Sequence, residues 1–327
     1  MASSSKSINY NIRPCKSIER KMMCEIVTKL NAFDQVSNYR YIGMGAKYFA
    51  DFSLFHRKFG INKMYSMEIN SEKNNVQRFQ FNKPYKCINI LFGNSNDLLN
   101  SSAFKWKNEK NIIWLDYDGG LNSNQLIDVE SCIGKMESGS IVFVSFNSNL
   151  GEKFRNASPS QKTEIFKERI NNDDLVKMIR NKDLAREKID STIHSMFDLV
   201  VKNKILDRNA VFLGEGEMLN IQQVAFFKYA DSQASMLTLG WVIYSNDDIE
   251  KYEKCKFKNL EFYNDTNKPY NISVPNFTYK ELAILNQNMP DGNYPIDGAS
   301  FFSKEEIEKY KKIYKYYPTT FEASTSL

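Results

Sequence analysis

Residues 39–70 read as strand, glycine turn, helix and strand, and the second strand ends on an acid. Residues 39–42 are rich in β-formers. Gly43 and Gly45 follow, and glycines there allow a tight turn and close approach of a ligand to the backbone. Phe52, Phe55 and Phe59, spaced by three and four, mark a helix that begins near Phe49. Residues 63–67 form a second short strand, with Glu68 at its carboxyl end. In an open α/β sheet this arrangement holds a nucleotide-like ligand. Turn amides and the helix start face its polar part, and the acid accepts hydrogen bonds from ribose hydroxyls. Glu68 lies 23 residues beyond Gly45, near the separation of about 20 expected for such an acid. The plainer alternative is a glycine turn that only joins a strand to a helix.

The alternation continues to residue 150. A third strand at 87–92 leads into a polar loop with Asn94 and Ser95. The apolar run 111–115 ends in Asp116, Asp118 and a Gly-Gly turn, the pattern of a parallel strand buried on both faces. A helix at 125–136 and a fifth strand at 141–146 follow, with Asn147 at the strand end as a candidate wall of a substrate site. Asp116 and Asp118 read as strand-end functional acids, or as caps of the next helix. Five such units predict an α/β fold with a doubly wound, mostly parallel sheet. Right-handed crossovers would then gather Gly43, Gly45, Glu68, Asn94 and Asp116 on one edge.

Ahead of this core, residues 1–10 are Ser-rich and expected to fray, and 17–31 predict a helix capped by Ser17. Arg13, Lys16 and Arg20 on it either line a pocket for an anionic substrate group or form a solvated face. Behind the core, 151–208 is charged and helical in pattern, with Ile165, Ile170, Leu175, Met178, Ile179, Leu184 and Ile189 as packing positions. Residues 211–213 suggest a short strand, and 219–229 with 235–244 predict an antiparallel hairpin, with a bulge at Gly240. Residues 245–275 show little periodicity, and helices are expected from a start at 275–278 through 286 and at 303–314, the last capped by Ser303. Tyr310, Tyr314, Tyr316 and Tyr317 interleave with lysines, which suits either base stacking or docking on the core. The expected units are an N-terminal helical segment 1–38, a cofactor-binding core 39–150, a helical insertion 151–208, closing strands 209–245 and an α-helical C-terminal extension 246–327.

Charge and composition narrow the function classes. Lys and Arg total 44 against 39 Asp and Glu, a net +5 too mild to mark a nucleic-acid binder by itself. The five cysteines show no C-x-x-C pair, as expected of reduced cytoplasmic thiols. With only His56 and His194, a multi-histidine metal site or a histidine triad has little support, and no metal ligand is assigned. No signal peptide or long apolar run is visible, so a soluble cytoplasmic protein with no membrane partner is expected.

The whole pattern resembles a class I S-adenosylmethionine-dependent methyltransferase with a Rossmann-like core, over about residues 39–245. The full chain is similar to a poorly characterised bacterial O-methyltransferase family. The segments carrying that likeness are RPCKSIERKM (13–22), YIGMGAKYFADF (41–52), RFQFNKPY (78–85) and IIWLDYDGGL (112–121). The resemblance implies S-adenosyl-L-methionine as cofactor, with Gly43 and Gly45 near its methionine part. It implies Glu68 on the ribose, Asn94 or Ser95 near the adenine, and Asp116 near the methyl group. Asp116 or Asp118 would act as general base for an acceptor hydroxyl, while Arg13, Lys16, Arg20 and Asn147 would contact the acceptor. Two positions depart from the class: Tyr41 stands where an acid is usual, and Lys47 where a third glycine is frequent. The alternatives are a methyltransferase-fold binding or defence-type protein without catalysis, and a nicotinamide-dependent oxidoreductase. The acceptor, a small molecule or a nucleic acid, is not legible.

Overall fold

The computed structural model describes residues 13–318 apart from 70, 178, 212, 213, 232, 233 and 297. Its centre is five parallel strands: β1 (Arg40–Gly43), β2 (Lys63–Glu68), β3 (Ile88–Phe92), β4 (Asn111–Gly120) and β5 (Ile141–Asn147). A long antiparallel hairpin, β6 (Leu219–Asp231) and β7 (Ala234–Ser245), joins through β7 to β5. A short β8 (Tyr270–Ile272) pairs in parallel with β6 at the far edge. The strand order is β3-β2-β1-β4-β5-β7-β6-β8. This is the expected doubly wound sheet with its closing hairpin, and the order turns at β1 and β4, where ligand crevices form in such sheets.

Two helical layers cover the sheet. α1 (Pro14–Lys29) and α2 (Ala50–Phe59) pack on one face, together with α10 (Ile249–Cys255), α11 (Tyr279–Gln287) and α12 (Lys304–Lys311). The other face carries α5 (Ser123–Lys135), α7 (Pro159–Ile170), α8 (Asp173–Lys177) and α9 (Ile189–Asn209). Short helices α3 (Lys73–Asn82), α4 (Ser95–Asn100) and α6 (Glu152–Arg155) complete the crossovers and the entry to α7. The pleat of β4 shows why both layers form: Ile112 and Trp114 join the first core, Ile113 and Leu115 the second. Strands apolar at every position are stable only with helices on both sides.

Several local readings change. α1 begins at Pro14, with Arg13 at the N-cap and no side-chain cap, because proline suits the first helical position. Ser17 therefore lies inside the first turn, its N–H bonded to the Arg13 carbonyl at 2.9 Å. α4 starts within the predicted polar loop, and Asn94 caps it through the Asn96 N–H. The hairpin bulge falls between Gln223 and Ala225 on β6 rather than at Gly240, which lies opposite. Gly240 is glycine because the Phe143 ring occupies its side-chain space: an added Cβ would lie 2.5 Å from that ring. Gly240→Ala is expected to lower stability by about 1–3 kcal/mol, read as a lower urea midpoint at unchanged slope.

β8 was missed because three residues are too few to show a period. Of the strand expected at 211–213, residues 212 and 213 lie outside the described residues, as do the expected frayed residues 1–10 and the packing position Met178. Ile170, Leu175 and Leu184 are buried as expected, and Ile165, Ile179 and Ile189 pack half-buried. The terminal tyrosines dock on the core instead of forming a stacking surface. Tyr310 and Tyr316 are buried, and their hydroxyls donate to Asn286 at 2.8 Å and Glu25 at 2.9 Å.

Candidate functional site

The turn from β1 to α2 is held by the end of β2. The Gly45 N–H donates to Ser66 Oγ at 2.9 Å, and Ser66 Oγ donates to Glu68 Oε1 at 2.7 Å. The Ala46 N–H donates to the same Oε1 at 2.9 Å. One carboxylate oxygen thus shapes the turn. Ala46 and Phe49 both adopt left-handed backbone angles, φ 47° each. Non-glycine residues reach that region only when their surroundings compel it. Burial pushes the Glu68 carboxyl up to about 7, against the lowering effect of its bonds to Ser66 and Ala46.

Gly45 has no room for a side chain, since a Cβ would lie 2.5 Å from the Phe49 ring and 3.0 Å from Ser66 Oγ. Gly43 is excluded from larger side chains by Tyr41, whose hydroxyl would be 2.7 Å from its Cβ. The close approach that both glycines permit is therefore to aromatic side chains of the protein itself.

Above this turn opens a cavity of about 340 Å³, within the range of small-molecule sites. Among the expected site residues, Gly45, Glu68, Ser95, Asp116, Asp118 and Arg20 line it. They come from the turn after β1, from β2, β4, α1 and the start of α4, so of the five residues expected on one edge Gly45, Glu68 and Asp116 line the cavity. Gly43, Asn94, Arg13, Lys16 and Asn147 do not line it. Asn94 caps α4 between the lining residues Gly93 and Ser95, and Arg13 occupies the N-cap position of α1. Asn147 Oδ1 accepts from the Asn149 N–H at 2.9 Å in the loop after β5. Tyr41 is fully buried, with its ring edge-on to Phe52 and Phe55 at 4.8 Å. Lys47 sits on the cavity wall with its ammonium 4.9 Å from the centre of the Tyr48 ring. Neither departure from the class pattern fills the cavity.

Lys16, expected on a substrate, is instead buried under the site at 1% exposure. Its ammonium donates to Asp116 Oδ1 at 2.8 Å, pairs with Glu19 Oε2 at 2.9 Å and stands 4.4 Å over the Trp114 ring. Glu19, wholly buried, accepts from Tyr229 at 3.0 Å and from Thr238. Thr238 contacts Ser145 Oγ at 2.7 Å, which also accepts from Trp114 Nε1 at 2.8 Å. Five elements, β4 among them, are thereby tied to the Asp116 carboxylate, which stands where the regular pairing of β4 with β5 gives way to a register shift. Buried charge is tolerated only with this degree of pairing.

Two further acids escaped the sequence reading. Asp51, in the first turn of α2, lines the cavity and accepts a hydrogen bond from the Tyr41 hydroxyl. Asp128, in the middle of α5, is fully buried and accepts from both Ser95 and Tyr117, two cavity residues. A charged residue among Leu126, Val129, Cys132 and Ile133, all buried, was the available signal for Asp128. Among the described residues no group of three or more His, Cys, Asp or Glu is placed to hold a metal ion.

The strand order and the closing hairpin are those expected from the sequence. The chain belongs to the family described as "Putative O-methyltransferase", whose model matches residues 8–325. No curated protein matches it. Among solved structures, the chain is similar to a "putative O-methyltransferase" from Klebsiella pneumoniae, with 11% identity and a TM-score of 0.36 over 72% of this chain and 81% of that one. Similarity to the cofactor-bound Rv0187 from MTB has 11% identity and a TM-score of 0.34, over 68% and 81%. LepI, in a complex with SAM, aligns at 10% identity and a TM-score of 0.31 over 63% of this chain, which spans only 43% of LepI. Scores this low establish nothing about activity, and the assignment rests on the family match. No helix among the described residues is long and apolar enough to cross a membrane.

Proposed function

We propose that the cavity binds S-adenosylmethionine and that the protein transfers its methyl group to the hydroxyl of an acceptor. The observation that carries this reading is Glu68, whose Oε1 is committed to the turn while the carboxylate lines the cavity, poised for a ribose diol. The residues fit the cofactor. Met67, Ile69, Phe79 and Tyr117 offer apolar wall for a base, and Asp51, Asp116 and Asp118 put negative charge where a cationic ligand would lie.

When bound, the cofactor supplies an electrophilic methyl on a sulfonium. The protein's part is alignment, since in-line transfer gains most from proximity and orientation. Lys16 fixes the direction of Asp116, the Glu68–Ser66–Ala46 bonds fix the turn, and Asp128 holds Ser95 and Tyr117. Asp118, more exposed than Asp116, is the better placed of the two to take a proton from an acceptor arriving from solvent. Lys47, Arg78 and Tyr48 on the same wall supply cationic and aromatic contacts for that acceptor.

Calorimetric titration with S-adenosylmethionine tests the reading. The wild type is expected to bind, and Glu68→Ala to weaken binding by about tenfold or more. A wild type that binds no adenosyl ligand, or a Glu68→Ala variant that binds equally well, removes it.

A further inference from the structure

α3 has no buried residue, and one of its faces lines the cavity. That face is Asn75, Arg78 and Phe79, at helical spacings of three and four. Phe79 also leans on Phe92 of the edge strand, with ring centres 6.1 Å apart. Phe81 stands three residues beyond Arg78, beside it on the helix surface, and is 88% exposed. Ile69, just ahead of the helix, lines the cavity and is 82% exposed. Among the described residues these two are the most exposed large apolar side chains. Residues 72–86 also carry Lys73, Arg78, Lys83 and Lys86 against the single acid Glu72, a net +3 in a chain whose total is +5. Lysines on α7, α8, α9, α10 and α12 pair with acids three or four residues away. Among the described residues, no such pair engages the four cations around α3.

Exposed aromatic and cationic groups on one surface complement a polyanion that carries flat rings. Single-stranded nucleic acid is such a ligand: cations track its phosphates, and aromatic side chains stack on its bases. The cavity adds two constraints. Its volume of about 340 Å³ is near the lower end of the range for one small ligand. An adenosyl ligand therefore fills it, and the acceptor reaches in from outside. Its wall also carries Asp51, Glu68, Asp116 and Asp118, which repel phosphate and admit a neutral hydroxyl. We propose that the α3 face docks single-stranded RNA and presents one ribose 2′-hydroxyl beside Asp118. The ribose oxygen gains the methyl as the carbon–sulfur bond breaks, and its proton passes to Asp118. Phe81 stacks on a base, while Lys73, Arg78 and Lys83 hold phosphates. The acceptor role rests on the methyltransferase reading, whereas the docking does not.

Fluorescence anisotropy on the full chain, with a labelled mixed-sequence RNA of about twelve nucleotides, tests the docking. The wild type is expected to bind, and to lose about twentyfold in affinity between about 50 and 200 mM salt, as for about three phosphate contacts on a single strand. Phe81→Ala should cost about tenfold and leave the salt slope unchanged. Lys73→Gln and Lys83→Gln should each cut the slope by about 0.7. None of the three side chains is buried, so a loss reads the surface and not the fold. Calorimetry with S-adenosylhomocysteine should give the wild-type affinity for all three variants. With labelled S-adenosylmethionine, the RNA should gain the methyl and its 2′-deoxy counterpart should not. RNA binding that ignores salt, or a Phe81→Ala variant that binds RNA as well as the wild type, overturns the docking surface. Tighter capture of polyglutamate than of RNA also overturns it and marks a site for an acidic protein. Methylation of the deoxy strand, or of neither strand, overturns the ribose as acceptor. RNA binding through Phe81 in a chain that binds no adenosyl ligand removes the cofactor reading and leaves the docking surface standing.

Discussion

Lys16→Met is expected to cost the folded protein about 3–5 kcal/mol, the range for removing one partner of a buried ion pair. The substitution keeps the volume of the side chain and its packing on Trp114, and it deletes only the charge. Glu19 and Asp116 then face each other's charge without the ammonium between them. Glu19 has no exposure through which water could compensate, and its bonds from Tyr229 and Thr238 do not replace a cation. Urea unfolding should show a large fall in midpoint. Adding Glu19→Gln to Lys16→Met should recover part of the loss, because one uncompensated charge leaves with its partner. The double-mutant cycle should therefore report strong coupling, well beyond the few tenths of a kcal/mol typical of independent sites. Two losses that simply add would refute the network.

Glu68→Gln should stabilise the fold while weakening the proposed ligand. The folded-state value of the Glu68 carboxyl is raised from 4.5 to about 7. A raised acid favours folding while it remains protonated, and that advantage disappears as pH rises through the folded value. Below pH 4.5 the carboxyl is protonated in both states, and above about 7 the folded protein bears the full cost of a buried charge. Glutamine keeps an oxygen for Ser66 and Ala46 and carries no charge. The variant should gain up to about 3 kcal/mol at alkaline pH, shrinking to nothing near pH 4.5. Thermal melts across this window read the difference, and a gap that does not change with pH would contradict the assignment. S-adenosylmethionine affinity should move the other way. The wild type should bind more weakly as pH falls below about 7, and the glutamine variant should bind weakly at every pH.

The parts of the fold visible in the sequence are those with a period. β4 announced itself by an unbroken apolar run, the hairpin by alternation, and α2 by phenylalanines three and four apart. Glu68, Ser95, Asp116 and Asp118 were visible because strand ends in a parallel sheet share one rim, so knowing the strands located the site. Three features had no such handle. β8 is three residues long and takes its conformation from pairing with β6. The bulge sits at Val224, between the pairs Gln223–Trp241 and Ala225–Gly240, where no glycine on β6 marks it. Arg13, Lys16 and Arg20 lie within eight residues at the start of one helix, and only the packing of that helix sets Arg13 at its N-cap, Lys16 among buried acids and Arg20 on the cavity wall.

Local sequence thus determined the order of elements, the parallel sheet and the rim where its acids gather, since hydrophobic period and glycine placement act over a few residues. Tertiary structure decided the pairings: Lys16 with an acid one hundred residues away, Tyr41 with Asp51, Ser95 and Tyr117 with Asp128. Whether a charged side chain is a surface ornament or a buried support depends on desolvation. Desolvation in turn depends on which distant segments pack above it, and no local pattern encodes that.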